Sequence, residues 1–422
     1  MSEATAPPAL VMPLDKGVGY VEEPLAAGAA AERGWNLLRE EVGLPAAVLS
    51  EERLAHNLRW MQRFVGEYGV HLAPHGKTTM APALFRRQLA AGAWGITVAT
   101  AQQARVAHDH GAPRVLMANQ LVGRGNFEIV SSLLRDPGFE FFCLVDSAAN
   151  VDRLGRFFAG RGQCLPVLLE LGVAGGRTGA RDDDQVAAVV EAIARWPGSL
   201  RLAGVEVYEG VLSEEAEIRE FLRRAVATFR ELARADRFGR GPAILSGAGS
   251  AWYDVVAEEF ARVTDAGPVE VVLRPGCYLT HDVGIYRAAQ EAVRGRNPIA
   301  RSMGAGLLPA LQLWAYVQSC PEPGRAIVAL GKRDAAFDAG FPEPARHYRP
   351  GDDAPKPAPA HWKVSRMMDQ HAYLDVSPGD DLRVGDVLVF DVSHPCLTFD
   401  RWRQLLVVDD GYTVTEVVQT FF

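Results

Sequence analysis

The chain is poor in cysteine and lacks the long apolar runs and the basic excess that mark several classes of protein. It has 422 residues, and its 5 cysteines are Cys143, Cys164, Cys277, Cys320 and Cys396. Their odd number and wide spacing argue against a disulfide framework and fit a reducing cytoplasm. No apolar stretch reaches the length of a membrane span, and the first 14 residues lack the basic and apolar regions of a signal peptide. A net charge of -8 argues against a nucleic-acid partner. We therefore expect a cytoplasmic globular protein that binds neither nucleic acid nor membrane.

Short apolar runs alternate with amphipathic helical stretches over most of the chain. The clearest predicted helices are Glu51–Tyr68 and Glu214–Ala235. The nine predicted strands are Ala46–Leu49, Val70–Ala73, Gly95–Ala99, Arg114–Met117, Glu140–Val145, Pro166–Glu170, Leu202–Val207, Ala243–Leu245 and Glu270–Leu273. Repeated βα units predict a parallel sheet, and their number suits a closed (β/α)8 barrel. Since a barrel of this kind has eight strands, one of the nine is wrong or lies outside it.

After about residue 305 the pattern changes to strands with few helices between them. The predicted strands are Gln312–Ser319, Arg325–Leu330, Asp386–Phe390, Gln404–Asp409 and Tyr412–Gln419. Glycine and proline clusters, notably Pro342–Pro359, separate them. We predict an α/β fold, a (β/α)8 barrel followed by a smaller β-rich domain. Its parts are an N-terminal tail over 1–35 that can lend a strand to the β-domain, the barrel over 36–304 and the β-rich domain over 305–422.

One lysine lies where a barrel would place chemistry. Lys77 follows the predicted strand Val70–Ala73 in the run Pro74-His75-Gly76-Lys77-Thr78. Stiff backbone at a strand end positions an amine, and desolvation keeps part of it neutral, which a Schiff-base lysine requires. From these residues alone, a surface lysine in a βα loop is the commoner explanation.

The same run resembles the Pro-His-x-Lys-Thr signature of the D-serine dehydratase and D-threonine aldolase group. These are pyridoxal-phosphate enzymes of the alanine-racemase-like fold, a barrel followed by a β-domain, so the resemblance extends from about residue 40 to the end. It implies that Lys77 carries pyridoxal 5′-phosphate as a Schiff base. Thr79 departs from the family, which usually has histidine there.

Two further residues are similar to family positions around the cofactor ring. Arg177, in a glycine-rich loop after Glu170, resembles the arginine that bonds the cofactor's phenolic oxygen or a substrate carboxylate. Tyr208, at a strand end before Gly210, resembles a tyrosine facing the ring. From the residues alone, a solvated arginine explains the first loop equally well, and a packing tyrosine is the commoner explanation for the second.

Small residues that precede a predicted helix indicate a phosphate site. Backbone N–H groups at such a turn bind anions, and the candidates are Ser246, Gly247, Gly249 and Ser250. Tyr278, in Arg274-Pro275-Gly276-Cys277-Tyr278, is similar to a family tyrosine that reaches the phosphate, although a structural turn is an equal alternative.

His394 and Cys396 form the candidate metal pair. Two apart on extended backbone, their side chains would point to the same side, and imidazole with thiolate suits Zn²⁺. Two ligands alone are a weak signal. The resemblance adds that His-x-Cys is the zinc pair of the family's dehydratases, whereas its aldolases have His-x-Asp. His371 lies where relatives often have Glu-His-Gly, which makes it a candidate for a place near the substrate.

These observations predict a lyase dependent on pyridoxal phosphate and zinc. The expected reaction is dehydration and deamination of a β-hydroxy D-amino acid, D-serine first, to a 2-oxo acid and ammonia. The alternatives are a metal-dependent D-threonine aldolase, which gives glycine and an aldehyde, and a non-enzymatic pyridoxal-phosphate-binding protein. Non-enzymatic proteins of that kind are similar to this chain only over the barrel, so residues 305–422 argue against that alternative. Because members of this family are commonly dimers, the resemblance leads us to expect a homodimer.

Overall fold

The computed structural model describes residues 10–239, 241–263 and 266–422. Its N-terminal segment contains β1 (Leu10–Val11), β2 (Leu25–Ala26) and α1 (Ala27–Glu32). β1 and β2 pair with each other, so this part of the predicted tail lends no strand to the later sheet within the described residues. Its apolar side chains, Val11 and Val18 among them, nevertheless share a core with Trp314 of that sheet.

A parallel eight-stranded barrel forms the larger part of the molecule. Its strands are β4 (His71–Leu72), β5 (Ile96–Val98), β6 (Arg114–Gln120), β7 (Glu140–Val145), β8 (Leu165–Leu171), β9 (Leu200–Val207), β10 (Ala243–Gly247) and β11 (Val269–Leu273). Each strand pairs with its neighbour in chain order, and β11 pairs with β4. The last gap, between β4 and β5, is bridged by His75 and Thr97. The predicted barrel is therefore confirmed.

Helices cover the outside of the barrel. They are α2 (Glu51–Tyr68), α3 (Pro82–Ala90), α4 (Ala101–Asp109), α5 (Arg124–Leu133), α6 (Ala148–Ala159), α7 (Asp183–Ala194), α8 (Glu215–Arg234), α9 (Tyr253–Phe260), α10 (Ile285–Arg296) and α11 (Pro298–Ser302). α2 begins where the Ser50 hydroxyl accepts the Arg53 N–H and ends at Gly69 with φ +63°. No helix among the described residues is both long enough and apolar enough to cross a membrane.

Alternate residues of the barrel strands fill its interior. They are Ala73, Leu116, Ala118, Phe142, Leu144, Leu168, Ala203, Ile244 and Val272. Because strand side chains alternate, the neighbours of these residues face the surrounding helices instead. The interior is thus packed, and the open space lies beyond the carboxyl ends of the strands.

A second sheet of ten strands follows, and it is mostly antiparallel. It contains β3 (Ala46–Ser50), β12 (Leu311–Glu322), β13 (Arg325–Val328), β14 (Glu343–Tyr348), β15 (Lys356–Pro357), β16 (Lys363–Met367), β17 (Ala372–Asp375), β18 (Val387–Asp391), β19 (Gln404–Val408) and β20 (Val414–Gln419). One short helix, α12 (Cys396–Phe399), lies between β18 and β19. The predicted β-rich architecture is confirmed, while the division of the chain at residue 304 stays a prediction.

Two strands of this sheet differ from the sequence expectations. β3 pairs with β12 and β19, so it is the ninth strand candidate that lies outside the barrel. The interpretation of Pro342–Pro359 as a separator was wrong for β14, which pairs with β18. Pro344 stands at a register shift of that pairing. Such an irregularity tolerates a missing N–H donor, which explains why proline did not prevent the strand.

Candidate active site

A cavity of about 290 Å³ lies at the carboxyl end of the barrel and is called here the Lys77 cavity. Barrel loops line most of it, and His394 and Cys396 close one side from the second sheet. Lys77 itself stands in a single 3₁₀ turn, Gly76–Thr78, directly after β4. Gly76 is required there, because a Cβ would come within 2.7 Å of the Phe85 ring.

The Lys77 amine is open to the cavity but surrounded by protein atoms. Although the Lys77 residue as a whole is exposed to the cavity, the surrounding protein atoms desolvate the amine and lower its pKa from the usual value; the positive charges of Arg177 and Arg274 lower the pKa further, against the opposing effect of Cys396. More of the amine is therefore neutral near neutral pH than for a surface lysine. A neutral amine is the form that attacks a carbonyl.

A buried polar atom without a partner lies beside Lys77. Among the described residues the Nδ1 atom of His75 is buried and has no hydrogen-bond partner, and His75 also lines the cavity. Burial, reinforced by the neighbouring Lys77 charge, lowers the pKa of His75 well below its usual value. A neutral imidazole at the cavity wall with a nitrogen still unpartnered is suited to a polar group of a bound cofactor.

Arg177 and Tyr208 both line the Lys77 cavity and contact each other there. The Arg177 guanidinium carbon lies 4.6 Å from the centroid of the Tyr208 ring. Arg177 is exposed and Tyr208 half-buried, and burial raises the pKa of Tyr208. The tyrosine stays neutral, and the guanidinium is held over its face by a cation–π contact.

The loop after β10 has a strained backbone and is hydrogen-bonded to the Glu209 side chain. Ala248 has φ +78°, a conformation that costs a non-glycine residue energy. The backbone N–H groups of Ala248 and Gly249 donate to the two carboxylate oxygens of Glu209, at 3.1 and 2.7 Å. Gly249 and Ser250 line the cavity. A phosphate would therefore meet Ser250 and the loop surface, since two of the N–H groups already bind Glu209.

Three predicted phosphate contacts lie away from the cavity. The Ser246 hydroxyl is fully buried and donates to the Val272 carbonyl at 3.0 Å. Gly247 faces the barrel wall, because a Cβ there would lie 3.1 Å from both Phe260 and Val256. Tyr278 is also buried, and its hydroxyl accepts from Gln88 Nε2 at 3.2 Å. These residues support the loops that line the cavity and do not line it themselves.

A buried contact between an arginine and a carboxyl group anchors the cavity floor. Arg274 and Glu206, 4% and 1% exposed, are in direct contact. Arg274 also donates to the Ser246 hydroxyl at 3.1 Å and to the Val207 carbonyl at 3.0 Å. Burial raises the pKa of Glu206 to about 8, although the Arg274 charge opposes that shift. Arg274 is thus fixed by three partners on adjacent strands.

The predicted metal pair lies at the Lys77 cavity, but its backbone is not extended as we expected. Pro395 has helical dihedral angles, and Cys396 is the first residue of α12. His394 Nδ1 lies 2.8 Å from Asp338 Oδ2, which leaves Nε2 as the ring nitrogen available to Cys396 or to a metal. Cys396 Sγ lies 3.5 Å from the Thr78 hydroxyl. The helical turn, not strand alternation, brings the two side chains to one cavity.

Neighbouring groups favour the anionic form of Cys396. Its contact with the Cys277 thiol lowers the pKa of Cys396, and the His394 imidazole lowers it further. The pKa of His394 rises in turn, chiefly through Cys396. An imidazole and a thiolate form a donor set that suits zinc. Within 10–239, 241–263 and 266–422, no group of three or more His, Cys, Asp or Glu side chains is placed to hold a metal ion, so the site offers two protein donors.

Among the described residues, His371 does not line the Lys77 cavity. It lines a different surface cavity, with Lys332 and Asp369 among its neighbours. Sequence reasoning also missed residues that do line the Lys77 cavity, namely His75, Asn119 and Tyr286. Asn119 is next to last in β6, so the rule that barrel chemistry follows the strands could have found it. Tyr286, one residue inside α10, carries no comparable signal.

This fold and cavity define a barrel protein of the alanine-racemase-like class. The family model described as "Alanine racemase, N-terminal domain" matches residues 49–278, more than half of the chain, and the chain belongs to that family. Residues 310–408 match a second model, "Putative serine dehydratase domain".

Two curated relatives are similar to this chain over long stretches. The D-threonine aldolase of Arthrobacter sp. is 28% identical over 377 residues, covering 88% of this chain and 90% of that protein. The D-threo-3-hydroxyaspartate dehydratase of Delftia sp. (strain HT23) is 28% identical over 243 residues, covering 57% of this chain and 61% of that protein.

Solved structures show the same fold. The D-threonine aldolase from Filomicrobium marinum superposes with a TM-score of 0.74 at 24% identity, covering 92% of this chain and 97% of that one. The dehydratase from Delftia sp. HT23 superposes with a TM-score of 0.71 at 22% identity, covering 92% and 99%.

Proposed function

We propose that the protein is a pyridoxal-phosphate-dependent lyase of β-hydroxy D-amino acids, acting as a dehydratase with D-serine as the first substrate to test. The observation that carries the proposal is the meeting of Lys77 with His394 and Cys396 at one cavity. The relatives named above, an aldolase and a dehydratase, support a lyase of this substrate class.

The residues of the Lys77 cavity fit pyridoxal phosphate. Lys77 offers an amine of lowered pKa, and His75 offers a buried nitrogen without a partner. Ser250 accepts the N–H groups of Gly276 and Cys277, at 3.2 Å each, so its own hydroxyl proton stays free to donate to a phosphate. When bound, the cofactor supplies an electron sink that makes the substrate's α-proton acidic.

Lys77 would take that α-proton. Lys77 is the one base that we place beside Cα, and a single base on one face of the cofactor would act on one enantiomer, which we propose is D. Arg177, exposed at the cavity wall, would bind the substrate carboxylate and orient the Cα–H bond towards the amine. Burial and the Arg177 charge keep part of Lys77 neutral, the form that accepts a proton.

His394 and Cys396 would hold the metal, which we propose is zinc. Thiolate and imidazole ligands favour zinc over harder cations, and two protein donors leave coordination positions open. A metal there would supply Lewis acidity towards the β-hydroxyl, whose departure as hydroxide is otherwise slow. The presence of Cys396, not a carboxylate, is our reason for placing dehydration ahead of aldol cleavage.

D-threonine aldolase activity is the second candidate, favoured by the relative that covers 88% of this chain. A product assay decides between them. The purified protein is given D-serine, D-threonine and D-threo-3-hydroxyaspartate in turn, with the L-enantiomers as controls. A 2-oxo acid with ammonia supports the dehydratase, glycine with an aldehyde supports the aldolase, and no turnover with any substrate overturns the lyase proposal. A protein that binds the cofactor without turnover is the non-enzymatic alternative.

The assembly and location of the protein are proposals of the same kind. We propose a cytoplasmic homodimer, with the barrel over 36–304 holding the cofactor and the domain over 305–422 holding the metal. Sedimentation velocity of the purified protein tests the dimer directly, and a single species of monomer mass contradicts it.

A further inference from the structure

Two cysteines at the Lys77 cavity touch each other. Cys277 Sγ and Cys396 Sγ are 3.6 Å apart, and the Thr78 hydroxyl lies 3.8 Å from the first and 3.5 Å from the second. All five cysteines are described by the structure and all are free thiols. The Cys277–Cys396 contact joins residues 119 positions apart in sequence, so folding alone creates it.

The backbone around both thiols is already held side by side. The Val283 N–H donates to the Val392 carbonyl at 3.0 Å, which joins the segment after Cys277 to the segment before Cys396. Gly284 packs so closely on Ser393 that a Cβ would lie 2.3 Å from the Ser393 carbonyl oxygen. A disulfide needs its sulfurs about 2 Å apart, so cross-linking requires the two side chains to rotate from their present contact at 3.6 Å to a closer one.

Small oxidants reach this pair through the Lys77 cavity. Both cysteines line it, and Cys396 is partly exposed while Cys277 is 3% exposed. Cys143, by contrast, is fully buried in β7, and Cys164 and Cys320 are exposed in other parts of the fold. Cys396 therefore meets the oxidant first, and Cys277 lies in place to react with it second.

We propose that Cys277 and Cys396 form a reversible disulfide in the presence of a hydroperoxide, and that this disulfide withdraws Cys396 from metal binding. The Cys396 sulfur attacks the peroxide O–O bond, becomes a sulfenic acid and releases one water from hydrogen peroxide. The Cys277 sulfur then displaces the hydroxyl from the sulfenic sulfur, and a second water leaves. Two thiols lose two hydrogens and two electrons, which the peroxide accepts.

The cross-link would change both the site and its surroundings. It uses the Cys396 lone pair that would bind a metal, and it joins the loop after β11 covalently to α12. The cross-link itself stands apart from the reaction proposed above, whereas its effect on catalysis depends on that reaction. A dithiol reductant returns both thiols, so the change is reversible.

The test uses the purified chain, as isolated and after treatment with a chelator, exposed to stoichiometric hydrogen peroxide. Intact mass should fall by about 2 Da, and a peptide map without reductant should join the peptides of Cys277 and Cys396. Affinity for added Zn²⁺, measured by competition with a chromophoric chelator, should fall at least about tenfold and recover with dithiothreitol.

Two variants control the experiment. Cys277→Ser should give no cross-link, and its Cys396 should gain oxygen mass instead, whereas Cys164→Ser should cross-link as the unaltered chain does. A map that joins other cysteines, or no mass loss, overturns the disulfide. A cross-linked protein that binds Zn²⁺ unchanged overturns the withdrawal of Cys396. If the protein has no lyase activity at all, the proposed reaction fails, while the mass and peptide map still decide the cross-link.

Discussion

His394 Nδ1 and Asp338 Oδ2 are 2.8 Å apart, and this contact fixes which ring nitrogen of His394 faces the Lys77 cavity. Asp338 carries no signal in the sequence, and its side chain is 43% exposed while that of His394 is 19% exposed. A carboxylate behind a metal-binding imidazole orients the ring and strengthens its remaining nitrogen as a ligand.

Asp338→Asn should therefore weaken zinc binding by about 10- to 100-fold, since the amide orients the ring less firmly. Competition with a chromophoric chelator measures the affinity. The matched control is Asp369→Asn, whose carboxylate is exposed and lies 3.7 Å from Arg333, away from the Lys77 cavity. Equal affinity in both variants would show that Asp338 is only a surface partner of His394.

Cys396→Ala separates a catalytic metal from a structural one. We expect dehydration to be lost, with little change in melting temperature or in the absorbance of the bound cofactor. Exchange of the substrate's α-proton with solvent, which depends on Lys77, should continue in part. Parallel loss of stability and activity would instead mean that the metal holds the fold, because removing a structural ligand unfolds its domain.

Lys77 should be the residue that holds pyridoxal phosphate covalently. Borohydride reduction followed by peptide mapping should find the cofactor on Lys77 and should find none in Lys77→Ala. Lys332→Ala, which removes an exposed amine that lies away from the Lys77 cavity, is the control. Label on another lysine in the unaltered chain would overturn the assignment.

The extent of cofactor trapping by borohydride at Lys77 should also depend on pH. Burial lowers the pKa of Lys77, so the neutral amine is available at lower pH than for an ordinary lysine. The pH midpoint of trapping should consequently be lower in the folded chain than in a synthetic peptide of residues 70–82. Identical midpoints would mean that the cavity does not perturb the amine.

Glu206→Ala should reduce the free energy of unfolding by about 1 to 3 kcal/mol, because it leaves a buried Arg274 N–H group without its hydrogen-bond acceptor. Urea denaturation measures the loss. Glu343→Ala removes an exposed partner of Arg287 and should cost roughly 0 to 1 kcal/mol. Similar losses in the two variants would mean that the Arg274–Glu206 contact is no more important than a surface pair.

Glu206 also makes stability depend on pH. Its pKa is about 8 in the folded chain, above the ordinary value of 4.5, so the native state holds a proton that the unfolded state releases. This contribution is fully present below about pH 4.5 and is lost as the pH rises through about 8. The stability of the unaltered chain relative to Glu206→Gln should therefore decline over that window, as denaturation at several pH values will show.

Gly249→Val should weaken cofactor binding, because a Cβ there would lie 3.1 Å from the Tyr208 ring and crowd the cavity wall. Fluorescence titration with pyridoxal phosphate measures the change. Gly66→Val, on the open surface of α2, controls for the added side chain. Gly247→Val should lower stability instead, since its Cβ would press on Phe260 and Val256. Unchanged cofactor affinity in Gly249→Val would mean that the loop only turns the chain.

The barrel could be predicted from sequence because its signals are local. Alternation and amphipathic spacing identified α2 to the residue and α8 to within one residue at each end. The candidate site was harder, since its decisive contacts join distant parts of the chain. Nothing in the sequence near Cys277 indicates Cys396, and nothing near Asp338 indicates His394. The phosphate loop was located, but not the orientation of its residues, because Glu209 reaches two of its N–H groups from the preceding strand end.

The position of β3 has a consequence for synthesis of the chain. Val48 of β3 pairs with Gln312 of β12 on one side and with Leu406 of β19 on the other. All eight barrel strands are therefore synthesised after β3 and before either of its two partner strands. At ribosomal speeds, Leu406 emerges roughly 20 to 70 s after Val48. Until β12 is made, β3 is an apolar segment with two unpaired edges, and the edge that pairs with β19 stays unpaired for the whole interval. Newly made chains would therefore pass through a stage in which residues 46–50 form an exposed apolar segment to which a chaperone can bind.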